Sequence, residues 1–162
     1  MHSIAIRDTA ASDTERLLPL IQAYWQYDAI AGYESARLRR QLEEFLSTPA
    51  YGCGWLATRG GVALGYLLCS WVYSLEHGGL MAEIDELFVV AEHRAHGVGR
   101  ALVARARAAL AARGGVCLQM QVAENNLPAR RFYDWLGFEE KRGYRLWVAR
   151  LSRAPPASGS PA

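Results

Sequence analysis

The chain has 162 residues, 51% hydrophobic and 21% charged, the size and make-up of one soluble domain that can bury a single core. A formal net charge of +2, carried by scattered basic residues, is too small to argue for a nucleic-acid or membrane partner. Of the 18 basic residues, 17 are Arg and one is Lys141, a coding bias that weakens any functional reading of Arg number alone. Cys53, Cys69 and Cys117 stand in apolar contexts without CxxC or Cys/His ligand spacing, so they read as buried free thiols in a reducing cytoplasm, with no metal site. No apolar signal core opens the sequence and no run of about 18 apolar residues occurs, which points to a cytoplasmic protein.

Residues 3–7 (SIAIR) alternate as a first strand. Ser12 or Asp13 then caps a helix that carries Leu17, Leu20, Ile21, Tyr24 and Trp25 at helical spacing, with Pro19 near its start. Beyond Gly32, Ser35 is placed to cap a second amphipathic helix with Leu38, Leu42, Phe45 and Leu46 on one face, ended by Pro49. Residues 51–58 and 62–71 read as a hairpin about a glycine turn, and residues 81–90 as the next strand. A helix over 97–113 stops at Gly114-Gly115, and a buried strand over 116–122 follows; a strand, a helix and a strand of these lengths require a right-handed crossover and a parallel pair. Asn125 or Asn126 caps a short helix that stops at Gly137. Residues 139–142 and 144–151 predict a closing antiparallel pair. The expectation is one domain over 1–151 and a disordered Pro/Ser/Ala-rich tail over 152–162.

The run IDELFVVAEHRAHGVGRA, residues 84–101, organises the rest. In RAHGVG the glycines allow backbone to approach a ligand where a helix opens with unpaired N–H groups. The partial positive charge there, roughly half an elementary charge, favours a phosphate or pyrophosphate, and Arg94 and Arg100 would bracket the anion. Neither standard phosphate loop fits. A P-loop needs GxxxxGK followed by Ser or Thr, and GxGxxG fails because Arg100, Ala101 and Leu102 follow Gly99.

Two blocks carry a family resemblance. Arg94, Gly97 and Gly99 follow the pattern Gln or Arg, two residues, Gly, one residue, Gly or Ala, and Asn126, Ala129, Phe132, Tyr133, Gly137 and Phe138 follow a second pattern at every spacing. Together, in order and with a strand between them, they resemble the GNAT superfamily of acetyl-CoA-dependent N-acetyltransferases over residues 61–148. Ala91, Ala95 and His96 stand where Pro, Gly and Lys or Gln are common.

The resemblance implies an α+β, three-layer α/β sandwich whose mixed, mostly antiparallel sheet has a splayed parallel central pair flanked by helices. Backbone groups of Leu87, Phe88 and Val89 would pair with pantetheine and hold the oxyanion. Arg94, His96, Gly97, Val98, Gly99, Arg100 and Asn126 would complete the acetyl-CoA site, with no metal. Tyr133 matches the general acid, also close to the CoA sulfur. For the base, Glu83, Asp85 and Glu86 stay open, with Asp85 first and Glu86 next. Strand alternation sets Glu83 and Asp85 on one face and Glu86 on the other unless a bulge intervenes.

Acceptor recognition would fall to Tyr24, Trp25, Tyr27, Asp28, Tyr33 and Glu34, or to residues 73–79 with Glu76 and His77. The implied acceptor is a primary amine of a small molecule or peptide, with homodimerisation through the last strands open to the chain. A non-catalytic acyl-CoA sensor and a pure interaction domain are the competing readings.

Overall fold

The computed structural model describes residues 3–149 and 151. Strands β1 (Ala5–Asp8), β2 (Gly52–Arg59) and β3 (Val62–Ser74) are each antiparallel to the next. Gly60 and Gly61, at φ +56° and +83°, form the two-residue β2–β3 turn, a connection whose left-handed central residues match the twist of the strands they join. Strand β4 (Gly79–Val89) continues antiparallel to β3, and β5 (Cys117–Met120) runs parallel to β4, giving the order β1-β2-β3-β4-β5. The parallel step is made by the crossover through α3 (Val98–Ala112).

Helices cover both faces, which makes the three-layer α+β sandwich. On one face α1 (Thr14–Tyr27) and α2 (Ser35–Ser47) bury Leu17, Leu20, Ile21 and Leu42 against Leu56, Tyr66, Leu68 and Phe88. On the other, Val98, Leu102, Val103, Ala106 and Leu110 of α3 pack on Trp55, Ala57, Leu67 and Ile84. Successive strand residues thus feed opposite cores, as their alternation requires. Helix α4 (Leu127–Trp135) brings Phe132 and Tyr133 to the α3 side. Fully burying one such Leu is worth about 1.5–3 kcal/mol.

Local details differ from the sequence reading. Asp13 occupies the α1 N-cap, but its carboxylate accepts from Arg7 Nη1 at 2.8 Å and from the Ala10 amide at 3.0 Å. Glu34, not Ser35, is the α2 N-cap. β5 is shorter than predicted, because Gln121 and Val122 leave the sheet. The closing pair expected at 139–142 and 144–151 is absent among the described residues, and Leu146, Trp147 and Val148 lie exposed. A strand takes its stability from a paired neighbour and a buried face; this segment has neither here. The proposed tail lies outside the described residues.

Candidate active site

A β-bulge sets the chemistry of β4. Leu68 pairs with Glu86 while the next residue, Cys69, pairs with Ile84, so Asp85 is the extra residue. The phase shift carries Glu86 to the α1/α2 face alongside Phe88, not to the opposite face that unbroken alternation gives. There Glu86 accepts from Trp25 Nε1 and from the Tyr66 hydroxyl, each at 2.7 Å. Burial raises the Glu86 pKa, the two donors pull it back, and the Asp85 charge adds a further upward push.

Asp85 has a different environment. Burial and then the charge of Glu83 raise its pKa, although the residue is exposed by surface area. The concavity reconciles the two: water confined in a cleft solvates a charge less fully than bulk water, so the upward direction stands. Glu83 accepts from Gln119 Nε2 at 3.1 Å and Gln121 Nε2 at 3.0 Å. Among the described residues the side-chain hydrogen bonds at this acidic run go to Glu83 and Glu86, leaving Asp85 free.

Beyond the bulge the central strands part. β5 pairs with β4 only from Met81 to Ile84. The Val90 amide donates to Leu64 O at 2.9 Å, and by antiparallel alternation Phe88 also turns its backbone groups to β3, while Leu87 and Val89 face the gap. The Val89 carbonyl accepts there from Arg94 Nε at 2.9 Å. Phe88 therefore contributes its ring and not its backbone.

A cavity of about 810 Å³ occupies this gap, within the range of small-molecule sites. Asp85, Leu87, Phe88 and Val89 line it from β4; Arg94, Gly97, Val98, Gly99 and Arg100 line it at the opening of α3; Asn126 and Tyr133 line it from α4. His96 borders it nowhere: it is exposed, with Nδ1 2.6 Å from Arg94 O.

The two glycines have separate reasons. Gly97 is the α3 N-cap at φ +81°, a left-handed conformation, with open space where a Cβ would stand. A Cβ on Gly99 would come within 3.1 Å of Phe132 Cζ, so Gly99 is what lets α4 approach α3. The Ala101 amide is the first to bond back, to Gly97 O at 3.0 Å, which leaves the amides of the first turn without intrahelical acceptors. The Arg94 guanidinium lies 4.4 Å over the Tyr27 ring and that of Arg100 6.0 Å over Trp135. Backbone turned into the gap, unpaired helix amides and two cations form a cradle that fits an extended amide-bearing chain ending in a pyrophosphate.

Tyr133 packs edge-on between Phe132 and Phe138, at centroid distances of 5.0 and 5.4 Å. Burial pushes its phenol pKa up, and pushes Tyr24 up to about 12, so both stay protonated at neutral pH. Burial also raises the Cys53 thiol to about 12 and raises that of Cys69, which disfavours the thiolate that nucleophilic attack needs. Asn126 accepts from the Ala129 amide at 3.2 Å, capping α4, and its Nδ2 reaches Asp28 Oδ1 at 3.5 Å.

A second cavity of about 410 Å³ lies on the α1/α2 face, bordered by Trp25, Arg37, Phe45 and Glu86, and Asp85 lines both cavities. Of the aromatic cluster, Tyr24, Tyr27 and Asp28 border the first cavity and Trp25 the second, with Tyr33 edge-on to Trp25 at 6.0 Å. Residues 73–79 border neither, and Glu76 instead pairs with Lys141 at 2.8 Å. Arg37 and Tyr66 escaped the sequence reading. Arg37 carried no local signal: it falls with Gln41 at the edge of the Leu38, Leu42 and Phe45 stripe, where a charged residue is ordinary. Tyr66 is an ordinary strand residue until the bulge brings Glu86 to it.

Among the described residues no group of three or more His, Cys, Asp or Glu could hold a metal ion, and no helix is long and apolar enough to cross a membrane. An uncharacterised N-acetyltransferase of Methanocaldococcus jannaschii is 28% identical over 91% of this chain, which spans 66% of that protein's length. The uncharacterised N-acetyltransferase YhfO of Bacillus subtilis is 27% identical over 86% of this chain and 92% of its own. In fold, the aminoglycoside N-acetyltransferase AAC(6')-Iy, solved in complex with CoA, superposes with a TM-score of 0.81 at 20% identity, covering 93% of this chain and 97% of that one. Residues 15–138 match the acetyltransferase (GNAT) family, and the chain belongs to it.

Proposed function

We propose that the protein transfers an acetyl group from acetyl-CoA directly to a primary amine of a small molecule or peptide, within a ternary complex. The observation that carries this reading is Asp85, the one free carboxylate of the acidic run, lining both the large cavity and the smaller one beside it. Thioester and amine would meet at that junction.

The large cavity takes the cofactor: Leu87 and Val89 offer backbone groups to the pantetheine arm, and the amides opening α3, with Arg94 and Arg100, take the pyrophosphate. A free alkylamine has a pKa of about 10, so only about one in a few thousand is neutral at pH 7. Asp85 accepts the amine proton, directly or through water, as the amine nitrogen bonds to the thioester carbon. Its raised pKa brings it nearer to that task. A gap-facing β4 amide holds the oxyanion. As the C–S bond breaks, the Tyr133 phenol gives its proton to the departing thiolate. Glu86, held by Trp25 and Tyr66, shapes the acceptor wall and is the second choice for the base.

The test is incubation with acetyl-CoA and a mixed amine panel while free thiol is followed. Amine-dependent release that falls about 10²-fold or more in Tyr133→Phe supports the reading. Saturable CoA binding with no turnover across the panel transfers support to a non-catalytic acyl-CoA sensor, and absence of CoA binding sinks both.

A further inference from the structure

The smaller cavity has a charge pattern of its own. Its walls are largely apolar: Ile21, Leu38, Leu42, Phe45 and Leu68. Asp85 and Glu86 stand at the β4 wall, and among the described residues Arg37 on α2 is the one cation that borders it. Glu86 accepts from two hydrogen-bond donors, so its carboxyl group is held in place. Arg37 is treated differently from its neighbour on the helix. Arg39 forms an ion pair with Glu15, whereas Arg37 has no carboxylate partner among the described residues. Its only hydrogen bond there runs from Nη2 to Gly32 O at 2.5 Å, and its Nε is buried without any partner. A buried donor left unsatisfied costs about 1–3 kcal/mol. That Nε is enclosed and stays so, but Nη1 makes no hydrogen bond among the described residues. A cation with an unengaged nitrogen on a cavity wall is suited to an anion arriving from outside.

We infer that the acceptor is an amino-carboxylate with an apolar body, an apolar amino acid in chemical class. Its amine points to Asp85 at the junction with the large cavity, its carboxylate pairs with Arg37, and its apolar portion lies against Leu38, Leu42 and Phe45. A plain alkylamine leaves Arg37 unpaired. A polyamine sets a second cation against it. Both are disfavoured by the same charge. The inference rests on the acetyl-transfer reading for the direction in which the amine points, and on Arg37 for the carboxylate.

The experiment compares matched acceptors that differ only in the carboxylate: leucine with 3-methylbutylamine, and phenylalanine with 2-phenylethylamine. Thiol release from acetyl-CoA is measured for the wild type and for Arg37→Gln. The wild type is expected to favour the amino acids by about ten-fold or more in kcat/KM, the scale of one charge-assisted hydrogen bond. Arg37→Gln is expected to collapse that preference chiefly through KM. Equal or better turnover of the decarboxylated amines overturns the inference while leaving acetyl transfer intact, and so does a preference that survives Arg37→Gln. Calorimetric titration of leucine and phenylalanine into the CoA-bound protein reads the site without turnover. Arg37-dependent binding with no thiol release supports the inference and counts against the transfer reading. No binding at millimolar concentration overturns it.

Discussion

The Tyr66 hydroxyl, on a side chain with no exposed surface, donates to Glu86 Oε2 at 2.7 Å across the bulged pairing of β3 and β4. The bond counters part of the upward push that burial gives the Glu86 pKa. Tyr66→Phe keeps the ring and removes the donor, leaving Trp25 alone on Glu86. The expected loss is about 1 kcal/mol of unfolding free energy at pH 7, read from the urea midpoint, with the Glu86 pKa moving further up. An unchanged midpoint would show that the bond contributes nothing net.

Asp85 makes the opposite kind of prediction. Its folded pKa stands above its unfolded value, so between the two the folded state binds more protons and stability falls as pH rises through that window. Asn carries no such term. Asp85→Asn should therefore gain stability relative to wild type on going from about pH 4 to pH 7, while losing acetyl-transfer activity. A stability difference flat with pH would contradict the raised pKa.

The Arg7–Asp13 pair has the reverse sign. The hydrogen bond from Arg7 holds the Asp13 carboxyl below its usual range, with the Ala10 amide helping against burial. Its contribution is present above the unfolded pKa of about 4 and is lost as pH falls through the depressed folded value. Asp13→Asn should cost about 1–3 kcal/mol at pH 7 and measurably less in urea titrations at acid pH. An equal cost at both would assign the effect to packing alone.

Gly97 and Gly99 separate two glycine roles by substitution. Gly97→Ala forces a Cβ residue to φ +81° and should lower stability by about 1 kcal/mol, with Gly97→Asn closer to wild type because Asn tolerates the left-handed region. Gly99→Ala meets Phe132 Cζ at 3.1 Å. It should perturb the α3–α4 approach, visible as altered near-ultraviolet circular dichroism of the aromatic cluster, before it perturbs the backbone. Chemical denaturation of the three variants checks the order.

Most element types were legible because periodicity is local: the Leu17, Leu20 and Ile21 stripe, the Gly60-Gly61 turn and the crossover around α3 are each written within a few neighbouring residues. The glycine-punctuated opening of α3 was legible for the same reason, since a helix opening uses consecutive residues. The strand expected at 144–151 shows the limit, because pairing depends on a distant edge that local propensity cannot supply.

By itself the sequence determined most of the element order, the parallel step around α3, the glycine-punctuated opening of α3, and the acidic run beside an apolar strand, while the layer architecture came with the family resemblance. Only the tertiary structure decided which carboxylate does what. A bulge of one residue in β4 turned Glu86 toward Trp25 and Tyr66 and left Asp85 free between two cavities, while α2 brought Arg37 to the smaller one. Alternation along a strand is a local rule. Its phase after a bulge is set by the partner strand, and hydrogen bonds spanning 61 and 20 residues, from Trp25 and Tyr66, have no local trace.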